Sequence, residues 1–259
     1  MIYKLKYGNG YQKIQLPPEN VLTYVQVVEQ TVAGNNRDCL QAALDNPQES
    51  PRFSEFVKER KVMILIEDAT RDVPATDIFE AISPELNKAK SIEIMMSTGT
   101  HSPAAPGNEE LMDSLKKVLK KHNIQDITFS IHDSRKPPFD SYGKSSFGNE
   151  FFVNPAVKRA EAFVVLSDMK NHYFAGYSNL LKNFVPGVCA YETTERNHAM
   201  ALEEKSTFGH HPWHPDQNRR DNPLANEMLE GYEKIVSGRP VWALASVSKH
   251  GKIIWCQCG

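Results

Sequence analysis

A repeated pattern constrains the fold of this chain most: a short apolar run, then a polar motif, then an amphipathic stretch. Lys61-Val-Met-Ile-Leu-Ile66 is the first run, and Asp68-Ala-Thr-Arg71 follows it. Ser91-Ile-Glu-Ile-Met-Met96 leads into Thr98-Gly-Thr-His101. Asp126 to His132 is a third run, and Ala162-Phe-Val-Val-Leu166 a fourth that leads into Asp168 and His172. Such runs are too short for helices and read as buried strands. Between them, Thr76 to Lys88 reads as a helix broken at Ser83-Pro84. Asn108 to His122 reads as another, with Leu111, Leu115, Val118 and Leu119 at helical spacing. Strands alternating with helices imply an α/β fold, a mixed and largely parallel sheet flanked by helices. All three polar motifs then lie just past the C-terminal ends of strands, where open α/β sheets bind ligands.

The remaining segments fit one domain over residues 1–259. Residues 1–25 read as strand, Gly8-Asn-Gly10 turn, strand and an extended Pro17-Pro18 segment. Residues 37–60 read as helix, with a break at Asn46-Pro47. Ser134 to Gly148 reads as a long loop, Asn222 to Val236 as a late helix, and Trp242–Val247 with Lys252–Trp255 as a closing hairpin around His250-Gly251. No internal repeat or low-complexity tract interrupts the pattern.

Composition narrows the function classes. With 30 basic and 32 acidic residues the formal net charge is -2, and no basic stripe of the kind that binds nucleic acid is present. No run of about 18 apolar residues exists, so no membrane span is expected. The N-terminus lacks an apolar signal core, which makes the cytoplasm the expected location. The four cysteines, Cys39, Cys189, Cys256 and Cys258, are sparse and read as reduced thiols. Cys256-Gln-Cys258 offers a pair of soft ligands on the chain terminus.

The motifs carry specific chemistry, each with a plainer alternative. Asp68 and Arg71 read as an ion pair or helix cap, or as an arginine that grips a carboxylate or phosphate while the aspartate orients a histidine. Thr98-Gly99-Thr100 reads as a strand-to-helix turn, or as a cradle of amides for an anion beside His101. Lys182 lies between Gly176 and Gly187 among aromatic residues. It reads as a snorkelling lysine or as a covalent anchor whose desolvated amine is a nucleophile. His172 precedes it and His198 follows; imidazole serves as proton carrier or metal ligand. His210-His-Pro-Trp-His214 offers three imidazoles for zinc, but its prolines mark an irregular loop without a carboxylate at ligand spacing.

Taken together, these residues resemble the nickel-dependent lactate racemase family, over essentially the whole chain and as that family's N-terminal domain. Leu5-Lys-Tyr-Gly8 to Leu16-Pro-Pro-Glu19 is similar to its first hairpin. Asp68-Ala-Thr-Arg71 resembles its Asp-x-Thr-Arg motif, and Thr98-Gly-Thr-His101 its Thr-Gly-x-His motif. His172-Tyr-Phe-Ala-Gly-Tyr-Ser through Lys182 to Pro186-Gly187 resembles the central signature, Asn197-His198 the Asn-His that follows, and Asp221-Asn-Pro-Leu the Gly-Asn-Pro stretch near the domain's end.

The resemblance implies an isomerase, a 2-hydroxy-acid racemase or epimerase working by proton-coupled hydride transfer. It implies a nickel pincer nucleotide, a pyridinium mononucleotide with two sulfur donors, tethered to Lys182, with Thr98, Gly99 and Thr100 beside the cofactor. His198 would ligate nickel, a soft-donor set that suits square-planar nickel. His101 and His172 would be the paired acid and base, and Asp68 and Arg71 would orient them and the substrate carboxylate. The pattern departs from the family at Asp72 and Asn171, where prolines are usual, and at Asn179 and Leu180, where small glycines are common. The family's C-terminal domain has no expected counterpart in these 259 residues. The alternative is therefore a non-catalytic cofactor-binding module that needs a separate C-terminal domain or protein.

Overall fold

The computed structural model describes residues 1–8, 10–23 and 34–259. The tip of the expected N-terminal turn, Asn9, and residues 24–25 of the segment after it lie outside the described residues. The chain divides into two compact units, Met1–Val32 and Ala33–Gly259. The first holds β1 (Ile2–Tyr7) and β2 (Gly10–Gln15), an antiparallel pair with Tyr7 opposite Gly10. Pro18–Asn20 turns into a 3-10 helix where an extended segment was expected, because proline's fixed φ already suits a first helical position.

The second unit begins with α1 (Asn36–Asp45), α2 (Phe53–Val57), β3 (Lys61–Ile66) and α3 (Ala75–Leu86). Next come β4 (Ser91–Met96), α4 (Asn108–Lys121), β5 (Ile127–Ile131), β6 (Asp140–Lys144), β7 (Glu150–Val153) and β8 (Ala162–Asp168). It closes with β9 (Lys170–His172), β10 (Gly176–Ser178), α5 (Leu181–Phe184), α6 (Tyr191–Ala199), α7 (Pro223–Val236), β11 (Val241–Lys249) and β12 (Lys252–Cys258). Six strands form one sheet in the order β12-β11-β8-β3-β4-β5. All neighbours are parallel except β11 and β12. The fold is therefore α/β with a mixed, mostly parallel sheet.

Strand alternation sorts the core into two layers. Val62, Ile64 and Ile66 of β3 pack with α1 to α4 on one face. Met63 and Leu65 pack with α5 and α7 on the other. Burial on both faces explains why β3 and β8 read as continuous apolar runs rather than alternating ones. Helix ends follow local rules: the Asn35 side chain accepts from the Asp38 N–H to open α1, and Asn222 accepts from the Ala225 N–H ahead of Pro223 to open α7.

Two expectations are corrected, and the cysteines, free as expected, show a further feature. Pro84 does not break α3; it sits inside the last turn with its ring exposed, where the helix ends soon after the missing N–H. The segment 134–148 is not one long loop, because it contains β6, paired with β7. The cysteines, scattered in sequence, partly converge: Cys39 on α1 and Cys256 on β12 bring their sulfurs to 3.0 Å. Burial pushes the Cys256 and Cys258 thiols up to about 12 and about 11, which opposes the thiolate form that a soft-metal pair requires.

Trp242 on β11 is the largest fully buried side chain and meets the Phe53 ring at 4.7 Å. We expect Trp242→Ala to cost about 3–5 kcal/mol and Trp242→Phe much less, read as shifts in the guanidinium unfolding midpoint. Equal midpoints for the two variants would contradict this packing.

Candidate active site

The sheet order reverses beside β3. From β3 the chain runs outward through β4 to β5, then returns to place β8 on the other side of β3. The C-terminal ends of β3 and β8 therefore border the switch point, where a crevice forms for ligands in this architecture. All the candidate residues but His198 enter from strand ends or from segments laid across this edge.

Asp68 follows β3 and is buried. Its Oδ1 accepts the Thr70 N–H at 2.9 Å and the Thr70 hydroxyl, and its Oδ2 pairs with His101 Nδ1 at 2.8 Å. Burial raises the Asp68 carboxyl, but hydrogen bonds from Thr70 and His101 outweigh it and hold the group below the usual carboxylate range. An ionised Asp68 accepts a proton-bearing Nδ1, so neutral His101 presents a bare Nε2 at its half-exposed edge. The Arg71 N–H donates to the Asp68 carbonyl at 3.0 Å, which closes the turn that carries the arginine side chain outward.

The Thr98-Gly-Thr turn is tied down from below. The Thr98 hydroxyl donates to the His132 carbonyl at 2.6 Å, and the Gly99 N–H to the Gly187 carbonyl at 3.1 Å. The His101 N–H donates to the Thr98 carbonyl at 3.0 Å. These amides are thus spent within the fold, and exposed Thr100 is the part of the turn that faces outward. The Gly187 N–H in turn donates to the Lys182 carbonyl at 2.9 Å. Gly187 has no room for a side chain, since a Cβ would stand 2.2 Å from the Asn183 carbonyl oxygen. The second motif and the lysine segment are therefore locked together through backbone.

His172, Lys182 and His198 come together on the α5 face of the sheet. The Phe174 ring lies 4.4 Å from His172 and 5.6 Å from His198, centre to centre. Burial, then the nearby Lys182, His198 and Arg71, push His172 down to about 4. The Ala175 N–H donates to His172 Nδ1 at 3.1 Å, so neutral His172 presents Nε2–H. Burial pushes Lys182 down to about 8, helped by Arg71 and Lys170 and opposed by Glu67. His198 is also lowered, by burial and by Lys182, while the Thr194 carbonyl one turn earlier favours its proton. Its Nδ1 is buried and makes no well-formed hydrogen bond among the described residues, the Thr194 carbonyl being its nearest acceptor. Arg71 lies within electrostatic reach of Lys182, His172 and Glu67, so the first motif joins the third across the switch point.

Several supporting residues escaped the sequence reading. Asn108, fully buried at the start of α4, accepts from the Ala69 N–H at 3.0 Å and donates to the Pro103 carbonyl at 3.1 Å, bracing the first two motifs together. Glu227 of α7 accepts from Asn197 at 2.9 Å, and from Ser145 and Asn149 at 2.7 Å each; it fixes the residue next to His198. Glu67 carries the nearest thing to a signal, a charge at the end of a buried strand. The three histidines of 210–214 do not form a metal set. His210 pairs with Asp221 at 2.9 Å, and His211 lies buried between Asn179 and the Trp213 amide. Among the described residues no group of three or more His, Cys, Asp or Glu side chains is placed to hold a metal ion.

Fold and site define a class: an α/β protein with a histidine-lysine site at the switch point of a mostly parallel sheet. Residues 7–209 match the lactate racemase N-terminal domain, and the chain belongs to that family. It is 23% identical over 242 residues to a lactate racemase of Thermoanaerobacterium thermosaccharolyticum, covering 89% of this chain and 53% of that protein. It is 25% identical over 169 residues to a lactate racemase of Lactiplantibacillus plantarum, covering 64% and 39%. The structure of the lactate racemase apoprotein from T. thermosaccharolyticum superposes with a TM-score of 0.79 at 20% identity, over 100% of this chain and 59% of the other. A Thermotoga maritima protein superposes with a TM-score of 0.62 at 18% identity, over 80% and 52%. The chain thus spans about half the length of the relatives that it matches, or less.

The buried histidines set an acid limit on stability. His172 and His211 are each lowered from 6.5 to about 4, burial being the largest cause. Between those values the unfolded chain binds protons that the native chain refuses, so stability falls as pH drops through that window and stops falling for this reason below it. His211→Gln should therefore lose less stability than wild type between about pH 7 and about pH 5 in urea titrations. An unchanged loss would remove His211 from this account.

Proposed function

We propose that this chain is the catalytic half of a racemase or epimerase of 2-hydroxy acids. The observation that supports it most is the joining of two units across one crevice: an Asp68–His101 pair, and a desolvated His172–Lys182–His198 group. The lactate racemases among its relatives supply the reaction class.

The residues fit the nickel pincer nucleotide that the family resemblance implies. His198 keeps a buried Nδ1 without a well-formed hydrogen bond, and Lys182 is desolvated without an ion pair among the described residues. One imidazole and one amine suit a group that brings its own sulfur and carbon donors, with His198 as the protein's ligand and Lys182 as the tether. When bound, that group supplies a place for the substrate's α-hydride.

The two histidines divide the proton work. His101, with bare Nε2 and ionised Asp68 behind it, takes the hydroxyl proton; Asp68 stabilises the imidazolium that results. His172, neutral and presenting Nε2–H, donates a hydrogen bond to the substrate oxygen on its side without giving up its proton. To act as base for the opposite enantiomer, His172 has to move its proton to Nδ1 and give up the Ala175 hydrogen bond. Arg71 carries the charge that pairs with a substrate carboxylate. A 2-hydroxy acid supplies all three features: carboxylate, hydroxyl and α-hydrogen.

The second reading is a cofactor-binding module completed by a C-terminal domain or protein, favoured by the exposed His101 and Arg71 at the edge of the site. Chain made together with the cofactor's synthesis enzymes separates the two. The first reading expects a nucleotide-sized mass adduct on Lys182, about one nickel per chain lost in His198→Ala, and interconversion of hydroxy-acid enantiomers. His101→Gln should then lower kcat about 10²–10⁴-fold. Adduct and nickel without turnover until a second polypeptide is added would favour the module. Wild-type racemisation by Lys182→Ala would overturn both.

A further inference from the structure

Asn222, in the Asp221-Asn-Pro-Leu motif, touches none of the groups that do the proton work, yet only one peptide unit separates it from His172. It is fully buried at the start of α7. Its Oδ1 accepts the Ala225 N–H at 3.0 Å and caps the helix. That bond assigns the oxygen end of the side chain, and so the nitrogen end as well. Nδ2 donates to the Phe174 carbonyl at 2.8 Å and to the His210 carbonyl at 3.0 Å, with the Thr207 carbonyl at 3.5 Å. A cap uses only the oxygen, so the two amide hydrogens do a second job.

The Phe174 carbonyl and the Ala175 N–H belong to one planar unit. Asn222 holds the oxygen of that unit, and its N–H donates to His172 Nδ1 at 3.1 Å. The two bonds lie in series and polarise the peptide in the same sense, so each strengthens the other. A plane pinned at its oxygen keeps its N–H on His172. The residue that supplies this carbonyl also sets its ring against both His172 and His198. Gly176 follows with φ +75°, and a Cβ there would stand 1.9 Å from the His210 carbonyl oxygen. Asp221 Oδ1 meets His210 Nδ1 at 2.9 Å. Asp221 and Asn222 together therefore hold the His210 backbone against the turn that follows His172.

We propose that Asn222 is a positioning residue for His172: through the Phe174–Ala175 peptide it keeps the imidazole proton on Nε2. A neutral imidazole carries one proton, on either nitrogen. With the Ala175 N–H aimed at Nδ1, a proton on that nitrogen would set hydrogen against hydrogen. The Nε2–H form keeps the bond. Asn222 thus does for His172, through backbone, what Asp68 does for His101 through a carboxylate, and the two devices select opposite tautomers. That the fixed proton serves a substrate oxygen rests on the racemase reading; the tautomer itself does not.

The test uses the whole chain without cofactor at neutral pH. Phe174-Ala175 is the only Phe-Ala pair in the sequence. Phenylalanine labelled with carbon-13 at the carbonyl, with nitrogen-15 alanine, therefore singles out this peptide by NMR. The ring nitrogens of His172, recognised by their loss in His172→Gln, report the tautomer directly. In wild type Nδ1 should resonate as an acceptor and Nε2 as a protonated nitrogen; averaged nitrogens overturn the proposal. Asn222→Ser keeps a capping oxygen for α7 but is too short to reach the Phe174 carbonyl. In that variant the Phe174 carbonyl signal should shift, and the two His172 nitrogens should draw toward each other as the tautomers mix. Asn35→Ser, the same exchange at the cap of α1, should move neither. Unmoved His172 nitrogens in folded Asn222→Ser overturn the proposal, since a residue that only capped α7 would leave them alone. Should Asn222→Ser fail to fold, the wild-type Ala175 amide decides. Slowed hydrogen exchange there supports the link, and exchange at the rate of an unstructured peptide overturns it. An intact tautomer link in a chain that accepts no adduct on Lys182 would reject the racemase reading and leave this one standing.

Discussion

The parallel pairing of β3 with β8 governs the molecule's chemistry. Val62 to Leu65 register against Ala162 to Val165, and both strands are covered on both faces. The polar groups nearest the strand ends, Asp68, Thr98 and Asp168, are buried, and each is bonded within the crevice. The need for a buried partner accounts for the dense bonding of Asp68 and for the Lys170–Asp168 pair, and burial itself lowers Lys182. The perturbed groups of the site owe their shifts to a floor that belongs to the sheet's buried interior.

Alternation along β3 gives this floor two sides. Asp68 meets His101 against α4, and Glu67 looks toward α5. The histidines differ as a result. Carboxylate contact makes His101 a ready acceptor at Nε2, whereas the Ala175 amide makes His172 a donor there. The two imidazoles carry opposite tautomers, one with an acceptor and one with a donor at Nε2, and carboxylate and backbone partners set them. Burial, then the positive charges of Lys182 and Arg71, push His172 down to about 4 and keep it neutral near pH 7.

Much of this was legible in the sequence, for identifiable reasons. The central strands and their trailing motifs stood out because buried parallel strands read as unbroken apolar runs. β3 and β4 match their expected bounds, and β8 continues only to Asp168. β6 and β7 were missed because the half-exposed Asp-Ser-Tyr-Gly-Lys of β6 carries no apolar alternation; its strand character comes from pairing with β7. Lys170–His172 pairs with Gly176–Ser178 for the same kind of reason, a tight turn whose Gly176 leaves 1.9 Å between a Cβ and the His210 carbonyl oxygen. The motif residues of the site were legible as types in order. Asn108, Glu227 and Glu67 were not, since each acts through a partner far away in sequence that only folding brings near.

The rim differs from the floor. Tyr173, beside His172, is 77% exposed, and the His101 side chain is 41% exposed. The proposed hydride transfer requires water to be excluded on every side, and the described residues supply that exclusion from below only. Lys182 and His198, proposed to hold the cofactor, are partly buried, while His101 and Arg71, proposed to meet the substrate, sit at the exposed edge. Anchoring a cofactor therefore depends on this chain's own core. Turnover depends in addition on whatever covers that edge, and this separates the two proposed readings on physical grounds rather than by sequence coverage.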